Sequence, residues 1–286
     1  MNETTNRRAA FNAAIEKELA TGEFVFPTSM QAAVRVRRAL DEPEASMVSV
    51  ARIIGLEPVL SVKLLRMANS TFFNPQAVEV TDVQRALMRV GLNHARTLAI
   101  AVIGDQLATA LEFAPVWRLA EQLWRHTLEV ASLAYAVALQ LDGAVRPDTA
   151  LLAGMVHDIG QFYLLSRVHE FPELLEDDGE LSELIVFWHK PVGQAVLRAL
   201  GTPQMIVDAL EMQEIYGPNW PPAGLADVLY LANTASPVPN PFSTVSLDMQ
   251  MALRESAFEG VDANLVSRLL DEARVQRAAA LAMLTA

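Results

Sequence analysis

The stretch Ala150-Leu151-Leu152-Ala153-Gly154-Met155-Val156-His157-Asp158-Ile159-Gly160 decides how the chain is read. Residues 150–159 are apolar almost all round, which marks a helix buried on several sides. A histidine and an aspartate side by side on such an element are costly unless each is paired or bound to a metal. Adjacent side chains on a helix point about 100° apart, so one cation engages both only near the element's end or at a kink. Gly160 is expected to supply that backbone freedom. Imidazole nitrogen with carboxylate oxygen suits a divalent transition ion. The plainer alternative is a buried His-Asp hydrogen bond that fixes packing, and the dipeptide by itself favours that alternative.

Working outward, a long helix is expected from Val116 to about Leu141, with Leu119, Leu123, Val130 and Val137 on its inner stripe. Asp142-Gly143 then turns the chain. His126 lies on that stripe, three residues after Leu123 and four before Val130, so it points inward. His189 opens another helical stretch, Trp188-His189-Lys190-Pro191-Val192-Gly193. One inward histidine is ordinarily a core residue, whereas three with an aspartate in one unit are harder to assign to packing. His94, beside a helix N-terminus, and His169, in a polar stretch, read as capping or surface residues.

Helical periodicity dominates the remainder, with no alternating strand pattern, so the fold class is all-α. Asn12–Ala20 forms a first helix. A turn at Phe26-Pro27-Thr28-Ser29 starts a second, which Asp41-Glu42-Pro43 ends. Ser46 caps a third that Gly55 closes, and Pro58 sits in the first turn of a fourth reaching Asn69-Ser70. Thr81 starts a short helix ended by Gly91, and a long apolar helix runs from Asn93 to about Leu111. Ala114-Pro115 is the boundary between two units. Pro237, Pro239 and Pro241 make a rigid loop before a last helical segment that includes Ala263–Leu284.

Composition narrows the function classes. Of 286 residues, 52% are hydrophobic and 20% charged, which places the chain among globular proteins. It has no cysteine, so thiolate metal sites and disulfides are excluded. No run is long and apolar enough to span a bilayer and no signal-peptide core follows the start, so a cytoplasmic location without membrane association is expected. The net charge of −12 divides into +1 for residues 1–110 and −13 for residues 111–286. An acidic second half disfavours nucleic acid as a partner and slows polyanions. Arg35, Arg37, Arg38, Arg66, Arg85 and Arg89 could form a basic face in the first unit, although such charges usually make a solvated surface.

The order His126, then His157-Asp158-Ile159-Gly160, then His189 resembles the HD superfamily of metal-dependent phosphohydrolases. Leu64-Leu65-Arg66-Met67-Ala68-Asn69-Ser70-Thr71-Phe72-Phe73 and Arg85-Ala86-Leu87-Met88-Arg89-Val90-Gly91-Leu92 are similar to the signature of its HDOD branch. Leu123-Trp124-Arg125-His126 also fits, and the likeness spans roughly Phe26 to Pro239. The resemblance implies a helical N-terminal lobe (residues 1–114) packed on an HD-like helical core (115–240), with a C-terminal helical extension (241–286). It further implies a role in bacterial signal transduction, with no established catalytic activity.

The ligand set implied by the resemblance is His126, His157, Asp158, His189 and Asn233, the last standing where active relatives carry an aspartate. Glu214 could add a carboxylate where relatives often have paired histidines, Gln161 stands in place of a lysine, and Asp158 is the one catalytic candidate. The ion would be Fe, Mn, Mg or Zn at low occupancy, and no other cofactor is indicated. The expected function is therefore a non-catalytic regulatory binding module with a degenerate HD metal site, whose partner is a signalling protein or a small regulatory ligand. The alternative is a metal-dependent phosphohydrolase acting on a nucleotide or cyclic dinucleotide. Oligomeric state is left open.

Overall fold

The fold comes from a computed structural model that describes residues 3–24, 36, 46–55, 58–70, 73–95, 97–99, 102, 116–200, 202–212 and 220–285. No strand occurs among them, and the all-α expectation holds. The turn at 26–29, the second helix, the Asp41-Glu42-Pro43 break, most of the Asn93–Leu111 helix and the Ala114-Pro115 boundary lie outside the described residues. So do Arg35, Arg37, Arg38 and Glu214.

The helices are α1 (Glu3–Thr21), α2 (Met47–Gly55), α3 (Pro58–Asn69), α4 (Val83–Val90), α5 (Trp117–Ala138), α6 (Pro147–Val156), α7 (Ile159–Arg167) and α8 (Asp178–Ala199). After them come α9 (Gln204–Met212), α10 (Leu225–Ala235), α11 (Leu247–Ser256) and α12 (Ala263–Thr285), with 3-10 turns at Val168–Glu170 and Pro172–Glu176. Several ends lie where the residues place them. The Ser46 hydroxyl accepts from Ser49 N–H at 3.1 Å, and Asp142-Gly143 turns the chain through two positive φ angles, 45° and 86°. Two ends shift. α1 begins nine residues before Asn12, held down by ion pairs of Arg7 and Arg8 and by Phe11, fully buried against Phe171. The cap of α4 is Asp82, not Thr81, because the carboxylate at 82 reaches Arg85 N–H at 2.8 Å.

α2, α3 and α4 pack on one another around Val50, Ile54, Leu64, Ala86 and Leu87. The loop between α3 and α4 is clamped by the resemblance-bearing residues themselves. Asn69 Nδ2 donates to the Val80 carbonyl at 2.7 Å, and its Oδ1 accepts from Val80 N–H at 2.8 Å. Arg89 donates to the Ala68 and Val78 carbonyls. That second clamp and the Arg85–Asp82 pair engage two of the arginines expected on a basic face.

α5 is the central helix, with α6, α10 and α12 packed around it, and α12 also touches α3. α7 and α8 pack as a pair, and α1 lies against α8. There Arg7 bridges Glu176 and Glu180, each at 2.9 Å, and Trp188 Nε1 donates to Asn12 Oδ1 at 2.8 Å. Glu18 pairs with Arg167 at 2.9 Å and accepts from the Tyr163 hydroxyl at the same distance. Arg167 also pairs with Glu170, so two carboxylates share the buried guanidinium, although its Nε has no hydrogen-bond partner among the described residues. No helix is long and apolar enough to cross a membrane among the described residues.

Two glycines set the helix spacings that matter for the site. A Cβ on Gly154 would come within 2.4 Å of Ala131 Cα, so α6 and α5 touch backbone to backbone. A Cβ on Gly160 would meet the His189 carbonyl oxygen at 2.1 Å and Gly193 N at 2.8 Å, where α7 crosses α8. The expectation for Gly160 is therefore corrected. It is not among the positive-φ glycines, and its lack of a side chain serves close approach rather than backbone freedom.

Candidate metal centre

α6 ends at Val156 and α7 begins at Ile159, so His157-Asp158 is the turn between them. That break removes the helical divergence of adjacent side chains and lets both face one point. Asp158 stands at the N-cap of α7, yet its carboxylate makes no capping bond. It turns instead toward two imidazoles. His157 Nε2 lies 3.0 Å from Asp158 Oδ2, and His126 Nε2, brought in by the Gly154 contact, lies 3.6 Å from the same oxygen. The two Nε2 atoms are 3.3 Å apart. His126 and Asp158 are buried.

The tautomers follow from backbone contacts. Nδ1 of His126 donates to the Val238 carbonyl at 2.6 Å, that of His157 to Gly154 at 2.7 Å, and that of His189 to Val186 at 2.7 Å. A carbonyl can only accept, so each neutral ring presents an Nε2 lone pair, the arrangement found behind metal-bound histidines. Two lone pairs at 3.3 Å repel unless a cation lies between or beside them. The three donor atoms form a triangle with sides of 3.0, 3.3 and 3.6 Å, whose corners are equidistant, at about 1.9 Å, from one point in their plane. A small displacement out of that plane reaches the 2.0–2.2 Å of transition-metal bonds to nitrogen and oxygen. The cluster therefore fits a metal ion.

Its protonation shows the same demand for positive charge. Burial pulls His157 toward the neutral form, but the adjacent Asp158 carboxylate and its hydrogen bond outweigh this and hold the imidazole above its ordinary value. Burial likewise opposes ionisation of Asp158, and His157, then His126 and His189, hold the carboxyl below its ordinary value. For His126 burial prevails and keeps the ring below its usual value.

His189 and Asn233 also line the cavity around this cluster. His189 sits in the middle of α8, not at the opening of a helix as expected; α8 continues through Pro191. It is brought to the site by the Gly160–Gly193 crossing. His169 and His94 stay apart, on the Ser166 and Val90 carbonyls. Glu214 lies outside the described residues.

One participant escaped the sequence reading. Asn240, in the proline-rich loop, donates from Nδ2 to Asp158 Oδ2 at 2.9 Å, while its Oδ1 accepts from Phe242 N–H at 2.8 Å. The backbone donor fixes which end of the amide faces the carboxylate. The alternation Pro237-Val238-Pro239-Asn240-Pro241 signalled a rigid loop, and its function here is to hold His126 and Asp158 together.

A family model of the HDOD domain matches residues 26–216. The chain belongs to the HDOD family. Among solved structures, this HDOD protein is similar to a candidate metal-dependent phosphohydrolase from Shewanella amazonensis SB2B, with a TM-score of 0.69 and 21% identity over 96% of this chain and 99% of that one. It is also similar to an HDOD domain protein of unknown function from Geobacter sulfurreducens, with a TM-score of 0.60 and 20% identity over 98% and 99% of the two chains. A candidate signal-transduction protein from Marinobacter aquaeolei VT8 has a TM-score of 0.56 and 18% identity, over all of this chain and 67% of that one. At these identities the likeness establishes a shared fold. A curated relative, an uncharacterized protein of Treponema pallidum (strain Nichols), is 21% identical over 142 residues, half of this chain but only 26% of the relative's length.

Proposed function

We propose that this HDOD protein is a cytoplasmic, non-catalytic regulatory module of bacterial signal transduction, whose degenerate HD site holds a divalent ion at low occupancy and whose partner is a signalling protein or a small regulatory ligand. The observation that carries the reading is the donor set: among the described residues, imidazoles and amides surround one close carboxylate, Asp158, whose Oδ2 already accepts from Asn240, while Glu211 lines the cavity outside that close group. A dication gripped by one anion is held less tightly than by two. The ligands would be His126, His157 and Asp158, with His189 and Asn233 beside them, for Fe, Mn, Mg or Zn. When bound, such an ion supplies Lewis acidity. The chain's own residues do the positioning: the Val238 and Gly154 carbonyls orient the rings, and Asn240 orients the carboxylate.

Metal analysis of protein purified without chelator, paired with assays on a phosphodiester panel, tests the reading. Sub-stoichiometric metal and no turnover are expected. The donor triangle, sized for a transition ion, favours a second reading: a metal-dependent phosphohydrolase acting on a nucleotide or cyclic dinucleotide. Turnover that disappears in a folded Asp158→Ala variant would establish it in place of the first.

A further inference from the structure

The cavity around the centre has a volume of about 770 Å³, and residues 243–256 line it through Ser243, Thr244, Val245, Gln250 and Leu253. Phe187 of α8 lines the same cavity and is 68% exposed. The segment 243–256 is anchored at its two ends. Phe242 and Ala257 are buried, whereas the described side chains from Ser243 to Ser256 are all exposed or half-buried. α11, the helix inside it, packs on α10 yet leaves Met249, Met251 and Leu253 exposed. A helix of ten residues draws most of its stability from a packed apolar face, and this one buries none of its described side chains.

The segment holds itself together instead. Ser243 Oγ accepts from Val245 N–H and Ser246 Oγ from Met249 N–H, each at 3.3 Å. Gln250 Nε2 donates to the Val245 carbonyl at 2.6 Å, and the Ser256 hydroxyl donates to the Leu253 carbonyl at 3.0 Å. Among the described residues, its side-chain hydrogen bonds thus close on the segment itself, so it can swing as one body without breaking a side-chain bond to the core. Just before it, Val238 and Asn240 fasten the chain to His126 and Asp158. We infer that residues 243–256 are a lid, hinged after Phe242 and before Ala257, that closes over the cavity by bringing Val245 and Leu253 onto Phe187. Closure takes three exposed apolar side chains out of water, which drives it. When shut, the lid bars exchange between the centre and solvent. That consequence for an ion rests on the metal reading above; the lid itself does not.

The chain has no cysteine, so an introduced disulfide reports closure without interference. The test compares the double variant Phe187→Cys, Leu253→Cys with the double variant Phe187→Cys, Met251→Cys. All three positions are exposed, and Met251 is not among the residues lining the cavity. In metal-free protein under diamide the first pair is expected to oxidise about tenfold faster, because a disulfide needs Cα atoms within about 7 Å of each other. Hydrogen exchange of residues 247–256 is expected to be fast in the reduced protein and about tenfold slower once the bridge forms. Equal oxidation rates, no bridge between positions 187 and 253, or equal protection of α11 in both forms would overturn the lid. Mn²⁺ loaded into the reduced protein should then pass to EDTA about tenfold more slowly after bridging. Unchanged release overturns the gating of the centre. Absence of Mn²⁺ uptake defeats the metal reading, and the bridge and the exchange rates still decide the lid.

Discussion

Two regions of this molecule hold polar side chains in apolar surroundings, and they use them in opposite ways. In the α2–α4 lobe three polar side chains end on backbone. Asn69 closes both its amide bonds on Val80, Arg89 ties the Ala68 and Val78 carbonyls, and Asp82 caps α4. In the core, each histidine gives one nitrogen to backbone and turns the other toward a shared cavity. The lobe's polar groups are satisfied by the chain itself, so they hold a loop in place. Those of the core are half satisfied and require a cation, either a proton or a metal. The difference separates a polar motif that shapes a fold from one that receives a ligand.

The largest expected effect tests the core side of this contrast. Asp158→Ala removes the carboxylate that faces two imidazoles at 3.0 and 3.6 Å, so it should abolish metal uptake and destabilise the protein by about 3–5 kcal/mol. Metal analysis and urea denaturation measure the two, and retained uptake would break the contrast. Next, Gly160→Ala forces a methyl onto the His189 carbonyl and should cost about 1–3 kcal/mol. Weakened metal uptake should accompany that cost, since the α7–α8 crossing brings His189 to the site. Asn69→Ala should lose about 1–2 kcal/mol with metal affinity unchanged, and a change in affinity would show that the two regions are coupled.

Asn233→Asp supplies a second carboxylate and should raise metal affinity about tenfold, near 1.4 kcal/mol. An unchanged affinity would remove the electrostatic deficit from the account. The smallest effect is a pH dependence. His157 is held above its ordinary value, so its contribution to the metal-free protein is complete below about pH 6.5 and fades as pH rises through the raised folded value. Metal must displace that proton, so affinity measured by calorimetry should weaken as pH falls through the same range. A flat profile would mean His157 is neutral without metal.

The all-helical class, the ends of α2 and α3, and the inward direction of His126 and His157-Asp158 were legible from the residues alone, because apolar periodicity and capping chemistry are local. Gly160 was legible as a signal but not for its reason, and Gly154 was not singled out: only packing reveals that both are points where two backbones touch. His189 was found by residue type and misplaced along its helix, since α8 begins eleven residues earlier, at Asp178, and runs on through Pro191. Asn240 was illegible. It lies 82 positions after Asp158, and nothing in an asparagine between prolines announces a distant carboxylate. The sequence by itself determined which groups could bind a cation, because side-chain chemistry and helical period are written residue by residue. Only the tertiary structure decided which of them share one point, because that depends on helix spacings and loop closures set by contacts far apart in the chain.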